Sequence, residues 1–246
     1  MASRSKPYTG LDIDPLGITA AQVEMTPAGL VVQRCGYQAL EPGVVREGEV
    51  ADASALSEAL RALYAQTPNL ARRVRVGVAN QKVVVRTLEL PALDDPKELA
   101  AAVAFQAQDL IPMPLDQAVL DWAVLDVVET DQGRRQQVLL AAARRDMIAS
   151  VVEATDAAGL VLEGIDVGAF GLVRALGAAA GDDEVVLYAG VMGITNVAIA
   201  RAGQCLFSRA SGTGIEHVAV SLAERSGLTI EHAHAWLVHV GLERPL

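Results

Sequence analysis

TGLDIDPLGITAAQVEM, residues 9–25, decides the reading, because a weaker copy of it returns near the other end of the chain. At a constant offset, Gly17, Ile18 and Thr19 fall on Gly193, Ile194 and Thr195, Leu11 falls on Leu187, and Val23 on Ile199. The second copy is LYAGVMGITNVAI, residues 187–199. Each copy is an apolar run, a glycine-containing turn, a threonine and then alternating apolar residues, which predicts a β-hairpin. One such hairpin in each half of the chain implies two lobes that face each other.

Paired hairpins of this kind resemble the two phosphate loops of the actin, Hsp70 and sugar-kinase superfamily. Such a loop runs Asp-x-Gly, small residues, then Thr or Lys. The acid holds metal-bound water, the glycine lets backbone N–H groups approach a phosphate, and the hydroxyl adds a donor. On that resemblance the nucleotide-binding positions are Asp12, Thr19, Gly190, Gly193 and Thr195, with the turn Gly212 to Gly214 above them. This sequence departs from the pattern. The first copy has Asp14 where a glycine belongs, followed by Pro15, which lacks an N–H, and the second has Tyr188 where an acid belongs. Each hairpin keeps half of what phosphate binding needs.

Length and composition narrow the class. A chain of 246 residues, 52% hydrophobic but only 4% aromatic, describes an Ala/Val/Leu-rich α/β protein of one or two cores. A formal net charge of −10, with no run of Lys or Arg, excludes a nucleic-acid partner. No apolar segment approaches the ~18–20 residues of a membrane span. Cys35 and Cys205 stand in no metal or redox spacing and are expected to be buried, reduced thiols.

Along the chain, Leu30 to Tyr37 predicts a strand. Asp52 can cap a helix whose Leu56, Leu60 and Leu63 share a face. Val74–Ala79 and Val83–Leu90 are β-branched runs expected to complete a first sheet. Asp95, Pro96 and Glu98 then form a capping signature at N-cap, N1 and N3. Leu99, Val103, Gln106 and Leu110 are expected on one face of that helix, with Phe105 beside it. Ile111-Pro112-Met113-Pro114 stops it. Two strands, Val119–Val128 and Gln137–Ala143, lead to a helix opened by Asp146, and Leu160–Ile165 returns as a strand. Residues 164–177 read as a strand end entering a helix, and Gly181 to Asp183 as a break. A later helix, Ile215 to Arg225, is expected to bury Ile215, Val218 and Leu222.

These segments, in this order, resemble the PilM family of type IV pilus assembly proteins, relatives of the cell-division protein FtsA. The likeness is carried by GLDI at 10–13, PGVVREGEV at 42–50 and FQAQDLIPMPLDQAVLD at 105–121. It continues in LLAAARRD at 139–146, AGLVLEGIDVGAF at 158–170 and SRASGTG at 208–214. The resemblance implies an α/β, actin-like (ribonuclease-H-like) two-lobed fold with a 1C-type inserted subdomain. The expected divisions are 1–93 (first part of lobe 1A), 94–164 (the insertion), 165–182 (return to 1A) and 183–246 (a second lobe that is incomplete). It also implies a cytoplasmic protein held at the inner face of the cytoplasmic membrane by PilN, whose N-terminal peptide lies between 1A and 1C, among other inner-membrane pilus components. Phe105, Leu110, Ile111 and Met113 are the expected partner-binding wall, since the capped helix and the rigid proline corner shape a groove for an extended apolar peptide.

ATP and magnesium would follow from the family, but the residues argue against both. Besides Asp14, Pro15 and Tyr188, Gly168 stands where related sequences often carry an acid near the terminal phosphate. The expectation is therefore a non-catalytic scaffold with degenerate nucleotide loops. Its alternatives are an active ATP-binding switch or ATPase, and an FtsA-like cell-division tether. A tether would carry a basic amphipathic helix, and residues 229–246 have too few basic residues for one. His217, His232, His234 and His239 lack ligand spacing, so no metal site is expected. Ser208, Ser211 and His217 form no triad.

Overall fold

A computed structural model describes residues 7–26, 29–131, 133–177, 181 and 183–240. Strands β1 (Thr9–Asp14), β2 (Gly17–Thr26) and β3 (Gly29–Ala39) form a meander, followed by the two-residue strands β4 (Val45–Arg46) and β5 (Glu49–Val50). Helix α1 (Ala53–Gln66) then crosses to β6 (Arg73–Val78). After a long excursion the chain returns through α3 (Arg145–Ala157) to β10 (Val161–Val167). The resulting sheet has the order β10-β6-β1-β2-β3, with β1, β6 and β10 parallel.

Helix α1 begins where the Asp52 carboxylate accepts the Ala55 N–H at 2.9 Å, satisfying one of the free donors of the first turn. Leu56, Leu60 and Leu63 are fully buried, as their spacing predicts, against Leu11, Ile18, Val74, Val76 and the inner face of α3 (Met147, Val151, Ala154). Each such leucine contributes about 1.5–3 kcal/mol through burial.

The excursion comprises β7 (Val84–Pro91), α2 (Pro96–Leu110), a 3₁₀ turn (Leu115–Gln117), β8 (Ala118–Thr130) and β9 (Gly133–Arg144). Its antiparallel sheet has the order β7-β9-β8. Strand β7 therefore does not complete the first sheet. It leaves β6 and pairs along its whole length with β9, Val84 opposite Ala142 and Pro91 opposite Arg135. Alternating β-branched residues specify a strand but not its neighbour; here β9 supplies the complementary apolar face through Val138, Leu140 and Ala142. Helix α2 starts as expected, with the Asp95 carboxylate accepting from Lys97 N at 2.8 Å. Its buried stripe, however, is Leu99, Val103 and Ala107, continued by Ile111. Strict i, i+4 spacing follows the sheet beneath, and it leaves Leu110 on the open side.

Lobe two follows α4 (Gly168–Leu176) with β11 (Val185–Val191), β12 (Thr195–Arg201) and β13 (Gln204–Ser211), an antiparallel sheet in that order. The two repeated hairpins thus lie in separate sheets, as predicted. Helix α4 covers one face through Ala169 and Val173 against Tyr188, Ala198 and Ala200. Helices α5 (Ile215–Ser226) and α6 (Ile230–Val240) form a hairpin around Ala219, Ala223 and Ala233. The expected burial of Val218 is not found: it is exposed, and the alanines let the two helices approach. Cys205 is buried in lobe two, where desolvation raises its thiol pKa, but Cys35 is exposed on the edge strand β3. Of the expected break at Gly181 to Asp183, residue 182 lies outside the described residues.

Candidate functional site

The cleft between the lobes is built from the two repeated turns, and they meet directly. Asp14 ends β1 and is 9% exposed. Its carboxylate accepts the Leu16 N–H at 2.9 Å, an Asx turn that shapes the β1–β2 corner. The same carboxylate accepts the Gly193 N–H at 2.9 Å and the Ile194 N–H at 3.3 Å, both from the β11–β12 turn of the other lobe. Two successive N–H groups aimed at one anion form the kind of concavity that binds phosphate in other proteins. Here a carboxylate of the same chain occupies it. Contact this close requires a glycine at 193, where a Cβ would stand 2.4 Å from the Asp14 Oδ1 and 3.0 Å from the Pro15 ring.

The other expected phosphate ligands are engaged in similar ways. The Thr195 hydroxyl donates to the Thr213 carbonyl at 2.7 Å. Gly214 lies against the backbone of Met192 and Gly193, and Ile215 N–H donates to the Met192 carbonyl at 2.7 Å. Gly212 abuts Glu47 and Gln81 of lobe one, while Gly190 backs onto Leu172 of α4. At Gly168 an acid would crowd the opposite lobe: a Cβ there would stand 3.0 Å from the side-chain Nδ2 of Asn196. Tyr188 turns into the lobe-two core. With the lobes in this arrangement, the turns do not fit a nucleotide phosphate.

Asp12 and Thr19 remain open. They are register partners on β1 and β2, in a cross-sheet row that runs Asp166, Gly77, Asp12, Thr19, Tyr37. Gly77 leaves a notch between the Asp12 carboxylate and Gly168. Asp166, which the sequence did not single out, faces the same side and pairs with Arg174. Although the Asp12 side chain reaches solvent, the surrounding cleft walls raise its carboxyl pKa, and the Asp14 carboxylate adds to the rise. A carboxyl raised on folding penalises the folded state above its folded pKa, and the penalty fades as pH falls through that value toward the unfolded one. Asp12→Asn is therefore expected to melt at or slightly above the parent temperature at pH 7, with the difference vanishing near pH 4. Thermal melts across that range check it; a lower midpoint for the variant at pH 7 contradicts it.

On the insertion, Phe105 is 68% exposed on α2, and Leu110 is also exposed. Ile111, expected on the same wall, is only 6% exposed and closes the core under the helix, with Met113 half-buried beside it. The helix ends one residue before Ile111, and the extended backbone there turns its side chain inward. Where the insertion meets α3, the Arg145 guanidinium donates to the Ala118 and Asp116 carbonyls at 2.9 and 3.3 Å. Arg144 pairs with Asp146, and this hydrogen bond holds the Asp146 carboxyl below its usual range. Asp116, Gln117 and Ala149 join these residues around an open cavity of about 370 Å³. Among the described residues no three His, Cys, Asp or Glu side chains are placed to hold a metal ion.

Comparisons with known proteins agree with this architecture. A chain of a solved PilM-PilN type IV pilus biogenesis complex superposes with a TM-score of 0.81 at 28% identity, covering 94% of this chain and 68% of that one. The ethanolamine utilization protein EutJ from Carboxydothermus hydrogenoformans matches with a TM-score of 0.55 at 14% identity, over 98% of this chain and 64% of that one. MreB5 of Spiroplasma citri bound to ADP matches with a TM-score of 0.50 at 12% identity, over 99% and 65%. The last two bear on the fold alone, which is the actin-like α/β fold. The chain spans about two thirds of each solved chain. Residues 10–241 match the family model described as type IV pilus assembly protein PilM, and on that match the chain belongs to the PilM family of type IV pilus assembly.

Proposed function

We propose that this chain is a scaffold of the type IV pilus assembly machinery that binds the N-terminal peptide of PilN and works without nucleotide turnover. Its place is the inner face of the cytoplasmic membrane, where PilN and other pilus components hold it; no described helix is long and apolar enough to cross the bilayer. Family membership and the likeness to a chain of a PilM-PilN complex support the partner. The observation that carries the scaffold reading is the cleft itself, whose Gly193, Ile194 and Thr195 donors are already engaged within the protein.

The peptide surface is the outer side of α2, where Phe105 and Leu110 offer apolar area beside the proline corner. An aromatic side chain that becomes fully desolvated against a partner is the type of anchor that dominates binding energy. Phe105→Asp is expected to weaken binding of a labelled PilN N-terminal peptide at least tenfold in a fluorescence titration. Its thermal midpoint should stay within about 2 °C of the parent, because substitutions at exposed positions typically change stability by less than ~0.5 kcal/mol. Undiminished affinity would place the peptide elsewhere.

A second reading, an ATP-dependent switch, draws on Asp12 and Thr19 lying open on the cleft face. Each lost charge-assisted contact costs about 1.5–3 kcal/mol, so two such losses move a micromolar site to about millimolar. Calorimetric titration with ATP and magnesium separates the two: no heat at submillimolar ligand fits the scaffold, and micromolar binding fits the switch.

A further inference from the structure

The Asp14 carboxylate does more than shape its own turn. An Asx turn needs only the bond to Leu16, yet two further acceptor positions are filled by the Gly193 and Ile194 N–H groups, 179 and 180 residues away. Both sides of that contact are anchored. On lobe one the Leu16 carbonyl accepts the Tyr37 hydroxyl at 3.0 Å and the Leu40 N–H at 3.1 Å, and the Tyr37 ring lies over Gly17. On lobe two the 192–194 turn is fixed by Ile215 N–H on the Met192 carbonyl and by Met192 N–H on the Ile194 carbonyl at 2.9 Å. Pro15 seals the contact with its ring against Gly193 and offers no N–H of its own.

We infer that Asp14 is a built-in anion for the lobe-two turn: a latch that holds the cleft closed without ligand and decides that phosphate is refused. The inference rests on the scaffold reading of the cleft and deepens it. Closure that another protein would obtain from a bound phosphate is here part of the covalent chain, so it does not depend on ligand concentration. The ligand class excluded is a phosphate or diphosphate. Such a group needs the two N–H donors that Asp14 holds, and it would have to approach a buried carboxylate of like charge.

The test uses the full chain with Asp14→Gly, which removes the anion, and Asp14→Asn, which keeps the shape but can accept through one oxygen only. Amide hydrogen exchange is followed at Gly193 and Ile194, with α1 amides as the internal control, and inorganic pyrophosphate without magnesium is the probe. In Asp14→Gly the two amides are expected to exchange at least tenfold faster, with α1 protection unchanged. Pyrophosphate should shift their resonances in this variant but not in the parent. If Asp14→Gly loses α1 protection as well, Asp14→Asn decides: faster exchange at Ile194 with α1 intact supports the latch, and parent-like exchange overturns it. Unchanged protection in Asp14→Gly, or equal pyrophosphate shifts in the parent, also overturns it. Micromolar ATP binding by the parent overturns both the latch and the scaffold reading, whereas a parent that binds no PilN N-terminal peptide while Asp14→Gly behaves as expected removes the scaffold reading and leaves the latch. A parent that refuses ATP while the Asp14→Gly amides stay protected removes the latch and leaves the scaffold.

Discussion

A Gly214→Ala variant is expected to lose about 3 kcal/mol or more of stability, the high end for an overpacked site. The added Cβ would stand 2.1 Å from the Met192 carbonyl oxygen and 2.4 Å from that of Gly193. Both obstacles are backbone, so no rotamer change relieves them. Nor can the turn retreat, because Asp14 and Pro15 press on its other side and the start of α5 is bonded to it. The strain is relieved only by lifting α5 from the cleft or parting the lobes. For a chain of this size the loss corresponds to a fall of about 6–12 °C in the thermal midpoint. Circular dichroism melts read it, and faster amide exchange across residues 215–226 localises it; a midpoint within a degree of the parent would show that the turn can yield.

Leu60→Ala should cost about 2–5 kcal/mol for a different reason. The leucine is fully buried on α1 between Leu56 and Leu63 and faces the lobe-one sheet. Truncation removes apolar contact and leaves a cavity that the flanking strands, bonded into a five-stranded sheet, close only in part. A fall of about 10 °C in the melting midpoint is expected. Phe105→Ala removes a larger side chain from an exposed site and should scarcely move it. Reversal of that order in paired melts would contradict the assignment of core and surface.

Much of this was legible in the residues. The repeated hairpins announced two sheets because strand alternation and turn glycines are local signals. Asp52 and Asp95 announced helix starts because a cap acts on the backbone two or three residues away. What was not legible depended on distant partners. Val84 to Pro91 carries the same alternation whether it pairs with β6 or β9, and only the register against β9 decides. Ile111 and Leu110 are equally apolar, and the inward one is set by the sheet beneath α2. The sequence showed Asp14 as an acid where a phosphate would sit in related loops. That the acid would be received by Gly193 and Ile194 could not be read from either stretch alone. The Asp166 row likewise exists only once three strands align.

The pairing of the excursion's first and last strands has a consequence for how the chain folds. Val84 lies opposite Ala142, so the polypeptide leaves lobe one and re-enters it at neighbouring points. Strands β8 and β9 are joined by a tight hairpin, whereas β10 must find β6 from more than 80 residues further along the chain. Local contacts form quickly, and the entropy of closing a loop grows with its length. Once residues 84–144 have condensed, that long loop behaves as a short one, and β10 meets an edge already brought within reach. On the ribosome the middle of this chain can therefore be finished first, and it becomes the clasp that lets the two ends of lobe one close around it.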